Sequence, residues 1–106
     1  VQATKKSLAE GNPVVFGMIM PPSFYDAKGV WKPTEQPSGN YGGHAMCVVG
    51  YDDDQYGGAF EIINSWGTEW GNDGFMWVTY DDFGKFAKYA YEIISDPMPK
   101  PPAVPD

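Results

Sequence analysis

The chemistry of this sequence centres on its single histidine, His44, and on Asn64, which follows twenty positions later. An imidazole ring can accept and return a proton near neutral pH. The oxygen of a carboxamide can accept the proton of one ring nitrogen, which fixes the orientation and tautomer of the ring and leaves the other nitrogen free. A histidine and an asparagine held in this way form the base and the orienting residue of a nucleophilic catalytic triad.

Two predicted strands bring these side chains together. An apolar run over residues 45–49 follows His44 and indicates a buried strand that ends at Gly50. Residues 51–59 are rich in turn formers and acids, and residues 60–63 form a second apolar run. The pattern predicts a hairpin, in which the start of one strand and the end of the next lie at the same edge of the sheet.

Two motifs that flank these strands resemble the C-terminal half of the papain-like cysteine peptidases. The first is Gly-Gly-His-Ala at residues 42–45, and the second is Asn-Ser-Trp-Gly-Thr-x-Trp-Gly-x-x-Gly-Phe at residues 64–75. The resemblance extends from about Lys5 to about Ile94. It implies an α+β fold, which is the mainly antiparallel, β barrel-like right-hand domain of that family with one or two short helices.

The resemblance assigns a role to three residues. His44 is the general base and acid, Asn64 orients it, and Trp66 covers the hydrogen bond between the two. In the glycine-rich loop that follows, we expect Trp70 to pack beneath Trp66 as support. An indole over the pair would exclude water, and a hydrogen bond in a low-dielectric setting is electrostatically stronger than one in solvent. The function implied is cysteine-type peptide-bond hydrolysis by a Cys-His-Asn triad.

The resemblance also places four small residues at the substrate-binding surface. Gly17, Gly42 and Ala45 border the S2 pocket, and Gly43 lies at the site beside the histidine. Residues without a Cβ atom let a substrate backbone pass close by, and a glycine at position 17 would leave space in the pocket. Structural alternatives stay open, namely a strand glycine at a bulge for Gly17 and a plain turn pair for Gly42 and Gly43.

The nucleophile of the family is missing from this sequence. In the family it lies in a Cys-Gly-Ser-Cys-Trp type segment well over a hundred residues before the histidine, a little after the glutamine of the oxyanion hole. We therefore expect a partner, an N-terminal helical half that carries the cysteine and comes from the same precursor or from a second chain. The expected substrate is a peptide or a protein, and this chain alone is predicted to be inactive.

Cys47 is the only cysteine of the chain, and it is not expected to be the nucleophile. It follows His44 by three residues on a predicted strand, so the two side chains point to opposite faces of the sheet. Its neighbours Met46, Val48 and Val49 are apolar, which predicts a buried and inert thiol.

Composition and charge argue against several other classes of protein. The sequence has 7 basic and 14 acidic residues and a net charge of -7, which disfavours nucleic acid and membrane as partners. It contains no apolar run long enough to span a membrane and no signal-peptide pattern. The three aspartates at residues 52–54 lack the glycine and distal glutamate of an EF-hand loop, so we expect neither a metal nor a cofactor.

Disulfide bonds can indicate the cellular compartment of a protein, but a single cysteine allows no internal disulfide here. The lack of the disulfides that are common in animal and plant lysosomal relatives favours a bacterial source. We expect a secreted or cell-envelope protein.

The predicted domain covers residues 1–94, and the five prolines within residues 95–106 indicate an extended tail or linker. Inside the domain we expect a helix over residues 3–10 that stops at a glycine. Near the end we expect a helical stretch over residues 81–89, capped by its two aspartates, and a closing strand over residues 90–94.

Two other classes of function stay open. The chain could be a catalytically silent papain-like homologue that acts as a binding or inhibitory module, since a family can keep its fold after the catalytic activity is lost. It could also be a carbohydrate-binding β domain that uses exposed tryptophans such as Trp31 or Trp70. Against this second alternative, we expect Trp31 to be tucked under its loop, because large aromatic side chains mostly serve packing.

Overall fold

The computed structural model describes residues 1–93 as six β-strands and two α-helices. The strands are β1 Val14–Ile19, β2 Val30–Trp31, β3 Gly43–Asp52, β4 Ala59–Ile63, β5 Phe75–Thr79 and β6 Ala87–Glu92. The helices are α1 Gln2–Ala9 and α2 Tyr80–Phe86, and short 3-10 turns lie at Pro22–Phe24 and Gln55–Gly57. Neither α-helix has the length and apolar character needed to cross a membrane. The predicted tail over residues 95–106 lies outside the described residues.

All six strands belong to one sheet, in the order β2-β5-β4-β3-β1-β6. Every neighbouring pair is antiparallel except β2 and β5, which run parallel. The α+β prediction and the mainly antiparallel sheet are confirmed. Within residues 1–93 the sheet is open and does not close into a barrel, because β2 and β6 remain at its two edges. An edge strand of only two residues offers few backbone groups for such a closure.

One face of the sheet packs against α2 and the segment that joins β1 to β3, and this packing forms the hydrophobic core. The largest fully buried aromatic side chains are those of Trp31, Phe16, Phe24, Phe60 and Phe86. In β3, Met46 and Val48 point into the core, whereas Ala45, Cys47 and Val49 lie on the other side. His44 shares the alternation of Met46, so it lies on the core side at the start of its strand.

We call the second side of the sheet the open face. The register pairs Gly17 with Ala45, Val15 with Cys47, and Cys47 with Ile63, so these five residues share that face. Their side chains are small or apolar, and the part of this face around β3 and β4 is accessible, because Ala45 and Ile63 are exposed and Cys47 is half-buried. The open face is therefore an apolar surface that begins next to His44.

The second helix is shorter than predicted. α2 begins after Thr79, whose side-chain oxygen accepts a hydrogen bond from the backbone N–H of Asp82 at 3.2 Å, so Thr79 rather than the aspartates caps it. The helix ends at Phe86 because Ala87 adopts an extended backbone and pairs with Met18 of β1. The predicted helical stretch over residues 81–89 was thus wrong for its last three residues, which open β6 instead.

The acidic loop after β3 is attached to both helices through Asp53. Lys5 of α1 lies 2.8 Å from the Asp53 carboxylate, and the Tyr80 hydroxyl of α2 donates to the same oxygen at 2.6 Å. The hydrogen bond from Lys5 is the main cause of a lowered Asp53 pKa, whereas burial, followed by the bond to Asp53, raises the Tyr80 pKa. This aspartate therefore holds the hairpin loop against the helices.

Trp31 is completely buried, as predicted, and a polar brace fixes the loop around it. Its indole N–H donates to the Ser23 hydroxyl at 2.9 Å. Ser23 in turn donates to the two carboxylate oxygens of Glu35, from its hydroxyl at 2.7 Å and from its backbone N–H at 2.9 Å. These bonds favour the charged carboxylate and lower the Glu35 pKa, with the hydroxyl of Ser23 as the largest cause.

Replacement of Glu35 by glutamine tests this brace. The folded protein holds the Glu35 pKa below its usual 4.5, so the stabilisation is present above that value and is lost as the pH falls through the folded pKa. We expect Glu35→Gln to lower the free energy of unfolding by about 1 kcal/mol at pH 7. The difference in the free energy of unfolding between the variant and the wild type is expected to shrink below pH 4.5. Urea denaturation at a series of pH values measures it.

The matched control is Glu69→Gln, which removes the same charge from an exposed position. It is expected to leave the free energy of unfolding unchanged within experimental error. A Glu35→Gln variant as stable as the Glu69→Gln variant at pH 7 would contradict the brace.

Candidate active site

The β3–β4 hairpin positions His44 and Asn64 at one edge of the sheet. His44 is the second residue of β3, and Asn64 directly follows the last residue of β4. Antiparallel pairing of Cys47 with Ile63 places the start of one strand beside the end of the other. The structure brings the two side chains together, with His44 Nε2 2.8 Å from Asn64 Oδ1.

A second hydrogen bond determines which nitrogen of the ring carries the proton. Asn64 Oδ1 also accepts the backbone N–H of Ser65 at 2.7 Å, so the atom at this position must be the amide oxygen rather than the nitrogen. An oxygen acceptor requires Nε2 of His44 to be the donor. In the neutral ring Nδ1 is then the unprotonated nitrogen, which is the state of a general base.

Asn64 is itself fixed from several directions. Its side chain is buried, with 8% exposed, and its backbone N–H donates to the carbonyl of Gly74 at 3.0 Å. Its amide nitrogen Nδ2 has no acceptor within residues 1–93. The only polar contacts of the carboxamide in this part of the chain therefore hold its oxygen, which is the atom that orients His44.

An indole ring lies over the pair. Trp66 stacks on the His44 ring, with centroids 5.1 Å apart and planes at 21°. Trp70 meets Trp66 edge-on from the core at 5.6 Å and 87°, and its own indole N–H donates to the carbonyl of Phe24 at 3.2 Å. Trp70 is 7% exposed and Trp66 is 37% exposed. Trp66 thus shields one side of the imidazole, and Trp70 holds Trp66 against the core.

Three of the four expected substrate-binding residues share one recess with His44. Gly17, Gly43 and Ala45 line this recess, which has a volume of about 460 Å³ and is bordered by β1, β3 and β6. Gly42 is exposed just before β3, and a Cβ atom there would meet no other atom within 4 Å. Space around Gly42 is therefore open, whereas the other three positions form the wall beside the histidine.

Gly17 does not leave empty space, contrary to the expectation from the sequence. The register pairs it with Tyr89 of β6, and the Tyr89 ring lies where a side chain of residue 17 would be. The pairing shifts between Gly17 and Met18, and this irregularity sets Lys88 and Tyr89 at the rim of the recess. The glycine is needed for close packing by an aromatic ring.

Cys47 faces away from His44, on the open face. It is half-buried rather than buried, because this part of the open face is accessible. Burial nevertheless raises the pKa of its thiol, which lowers the fraction of reactive thiolate. Cys47 lines a shallow apolar groove of about 430 Å³ with Ala45, Ile63 and Asn64 among its other borders. Cys47 therefore contributes to the apolar surface of this groove, and nothing in its position or its pKa indicates a nucleophile.

Two residues near the site were not found from the sequence. Tyr89 was missed because its place depends on the register between β1 and β6, which no local pattern specifies. Tyr25 was missed because it lies in an irregular segment, yet its ring stacks on Trp66 at 5.0 Å and 9°. The available signal was composition alone, an aromatic residue beside the helical turn at residues 22–24.

The fold and the site together define a chain of the papain-like class. A family model described as "Papain family cysteine protease" matches residues 1–94, and the chain belongs to that family. This family assignment agrees with the resemblance of the two sequence motifs.

Two relatives match most of this chain in sequence. The chain is 40% identical over 76 residues to cathepsin B-like CP3 of Giardia intestinalis, covering 70% of the chain and 25% of that relative. It is 31% identical over 84 residues to an uncharacterized peptidase C1-like protein of Acanthamoeba polyphaga mimivirus, covering 76% and 26%. The chain thus spans about a quarter of the length of these relatives.

Solved structures show the same fold. Xylellain, a cysteine protease from Xylella fastidiosa, is 34% identical, with a TM-score of 0.64 over 78% of this chain and 32% of that one. The bromelain protease from Ananas comosus, in complex with the E64 inhibitor, is 19% identical, with a TM-score of 0.64 over 89% and 46%. At that identity the second likeness concerns the fold alone.

Replacement of Gly17 by alanine tests the packing of Tyr89. A Cβ atom at position 17 would clash with the Tyr89 ring, which is the far end of a flexible side chain and 47% exposed. We expect the ring to move away at a cost of about 1 kcal/mol in stability. Ring-labelled tyrosine signals in an NMR spectrum report this displacement.

Gly43→Ala is the control for this variant. The nearest atom to its added Cβ is the Met18 carbonyl oxygen at 3.7 Å, an ordinary contact. The Tyr89 signals are expected to match the wild type in Gly43→Ala and to differ in Gly17→Ala. Identical Tyr89 signals in both variants would show that the ring does not occupy this place.

Proposed function

We propose that this chain supplies the histidine and asparagine of a Cys-His-Asn triad in a cysteine peptidase. The observation that carries the proposal is the hydrogen bond of 2.8 Å from His44 Nε2 to Asn64 Oδ1 beneath the stacked Trp66 ring. It leaves Nδ1 as the proton acceptor, and membership of the papain family provides the reaction class. The cysteine comes from an N-terminal helical half.

In the proposed reaction, Nδ1 of His44 accepts the thiol proton of that cysteine, and the thiolate sulfur attacks the scissile carbonyl carbon. His44 then returns the proton to the leaving amine nitrogen, and a thioester remains. Water adds to the thioester with His44 as the base, which releases the acid and regenerates the thiol. Asn64 holds the Nε2 proton throughout, so the imidazolium that forms keeps its orientation.

We propose that the missing half docks on the open face. The chain matches only about a quarter of its relatives' length, so most of a full-length enzyme lies outside it. The groove lined by Ala45, Cys47 and Ile63 is apolar and borders Asn64. Ile63 in the groove exposes 37% of its surface, and Val49 further along β3 exposes 42%, so the apolar surface extends beyond the groove. A helical half with an apolar surface would bury them.

We propose a peptide or protein as the substrate, bound along the recess beside His44. Gly42 and Gly43 lie at the approach to the histidine, and they let a substrate backbone come close because they carry no Cβ atom. Ala45 and Tyr89 line the recess in which a substrate side chain would lie. The Tyr89 ring over Gly17 reduces the depth of this recess.

The first test identifies the partner and the nucleophile. Intact-mass analysis of material that co-purifies with the chain from its source is followed by labelling with a vinyl-sulfone thiol probe. A second chain, or an N-terminal extension, that takes the probe at a cysteine supports the proposal. A serine or glycine at that position favours the catalytically silent homologue, and an absent partner overturns the triad.

Variants of the reassembled enzyme test the roles of the pair. We expect His44→Gln to lower kcat by roughly 10²- to 10⁴-fold, because general acid–base catalysis contributes that much. Asn64→Ala is expected to lower kcat by less, since the base remains but is no longer oriented. Steady-state hydrolysis of a fluorogenic peptide measures both, and circular dichroism checks the fold.

The exposed Gln2→Ala variant is the control, because it removes a carboxamide from α1, far from this pair in the sequence, and leaves His44 and Asn64 unchanged. It is expected to have wild-type kcat. Asn64 has no part in the mechanism if Asn64→Ala and Gln2→Ala turn over the peptide at the same rate.

A charge on the open face tests the docking of the missing half. Ile63→Asp introduces a carboxylate into the groove and is expected to weaken association at least tenfold, since the burial of an unpaired charge is costly. Tyr56→Asp is the control, since Tyr56 is 46% exposed in the turn at the opposite end of the β3–β4 hairpin and has no part in the groove. Titration calorimetry measures both, and equal affinities would place the interface elsewhere.

The carbohydrate-binding alternative gains no support from the tryptophans that suggested it. Trp31 is fully buried and Trp70 is 7% exposed, so neither ring can stack on a sugar in the folded chain. Trp66 is more exposed, but its ring stacks with His44 and Tyr25. The catalytically silent homologue remains the second candidate because it shares every contact of the peptidase.

A further inference from the structure

Tyr25 makes the most nearly parallel aromatic contact of the described residues. It directly follows the helical turn Pro22–Phe24, and its ring stacks on Trp66 with centroids 5.0 Å apart and planes at 9°. Trp66 in turn stacks on His44 at 5.1 Å and 21°. Three rings are therefore connected in near-parallel contact, from an exposed tyrosine to the imidazole.

The contact between Tyr25 and Trp66 is not part of the core packing, because Tyr25 is largely exposed. The Tyr25 side chain is 55% exposed, so it does not fill the interior, as Phe24 beside it does with 0% exposed. Phe24 and Trp70 meet Trp66 edge-on, at 75° and 87°. Edge-on contacts fix where the indole is, whereas a parallel neighbour limits the tilt of its plane.

The tilt of Trp66 matters because His44 lies against it. A rotation of the indole would open the side of the imidazole to water and free the ring to turn about its own bonds. The Nε2 bond to Asn64 would then weaken, and Nδ1 would lose its fixed direction. Only a second face contact on Trp66 opposes this rotation from outside the core, and Tyr25 provides it.

We propose that Tyr25 is a positioning residue for His44, acting through Trp66. Its ring holds the indole parallel to the imidazole and so maintains the orientation in which Nε2 donates to Asn64. The catalytic consequence rests on the proposed function of the pair, whereas the effect on the His44 ring is a property of this chain alone.

The single histidine makes a direct test possible. The two carbon-bound ring protons of His44 lie in the shielding field of the Trp66 indole, and their NMR signals need no assignment against other histidines. In Tyr25→Leu we expect these signals to move towards those of a free histidine. We also expect the Nε2 proton to exchange faster with water. Tyr25→Phe, which keeps the ring, is expected to retain wild-type signals.

Tyr91→Leu is the matched control. Tyr91 is 66% exposed and its ring contacts Tyr89 rather than the Trp66 stack. The proposal is overturned if Tyr25→Leu and Tyr91→Leu give the same His44 signals and exchange rate. Should Tyr25→Leu fail to fold, Tyr25→Gln applies the same test, with circular dichroism to verify the fold.

Kinetics of the reassembled enzyme distinguish positioning from substrate binding. We expect Tyr25→Leu to lower kcat by about 2- to 10-fold with an unchanged KM, and Tyr25→Phe to restore it. A raised KM with unchanged kcat would make Tyr25 a substrate contact and overturn the positioning role. If the reassembled wild type is inactive, the proposed function fails, and the NMR comparison still decides the role of Tyr25.

Discussion

The pairing register of β3 with β4 is the constraint on which the His44–Asn64 hydrogen bond and the rest of the site depend. His44 lies in β3 and Asn64 directly follows β4, so the bond exists only if the two strands pair in this one register. A slip of one residue would turn His44 to the open face and separate the pair. The apolar side chains of β3 and β4 fix that register, because Met46, Val48 and Ile62 must be buried. Core packing therefore sets the geometry of the site.

The sequence predicted the elements that follow local rules. The hairpin and the His44–Asn64 encounter came from apolar runs, turn residues and motif spacing, and the buried Trp31 came from the tendency of large aromatic side chains to pack inside. The structure contains all three. It did not predict the end of α2, because residues 87–89 have no local preference strong enough to oppose pairing with β1. Tyr89 over Gly17 and Tyr25 on Trp66 are contacts between distant segments, and such contacts are set by tertiary packing.

The two faces of the sheet have different tasks. The core face carries large aromatic side chains that reach from α2 to the edge where Trp70 supports Trp66. The open face carries small and apolar side chains, with Cys47 among them. This division explains why one strand can present a polar imidazole at its start and an apolar surface along its length. The odd and even positions of β3 face different environments.

The stacked rings also bear on when the site is formed. Two contacts that orient His44 come from within this chain, namely Asn64 at its Nε2 atom and Trp66 on its face. Under the proposed function, the base and its orienting residue are held by this chain itself, and the partner would bring the nucleophile and its oxyanion site. A preorganised base loses little further conformational freedom on assembly, so more of the association energy can be used to position the cysteine.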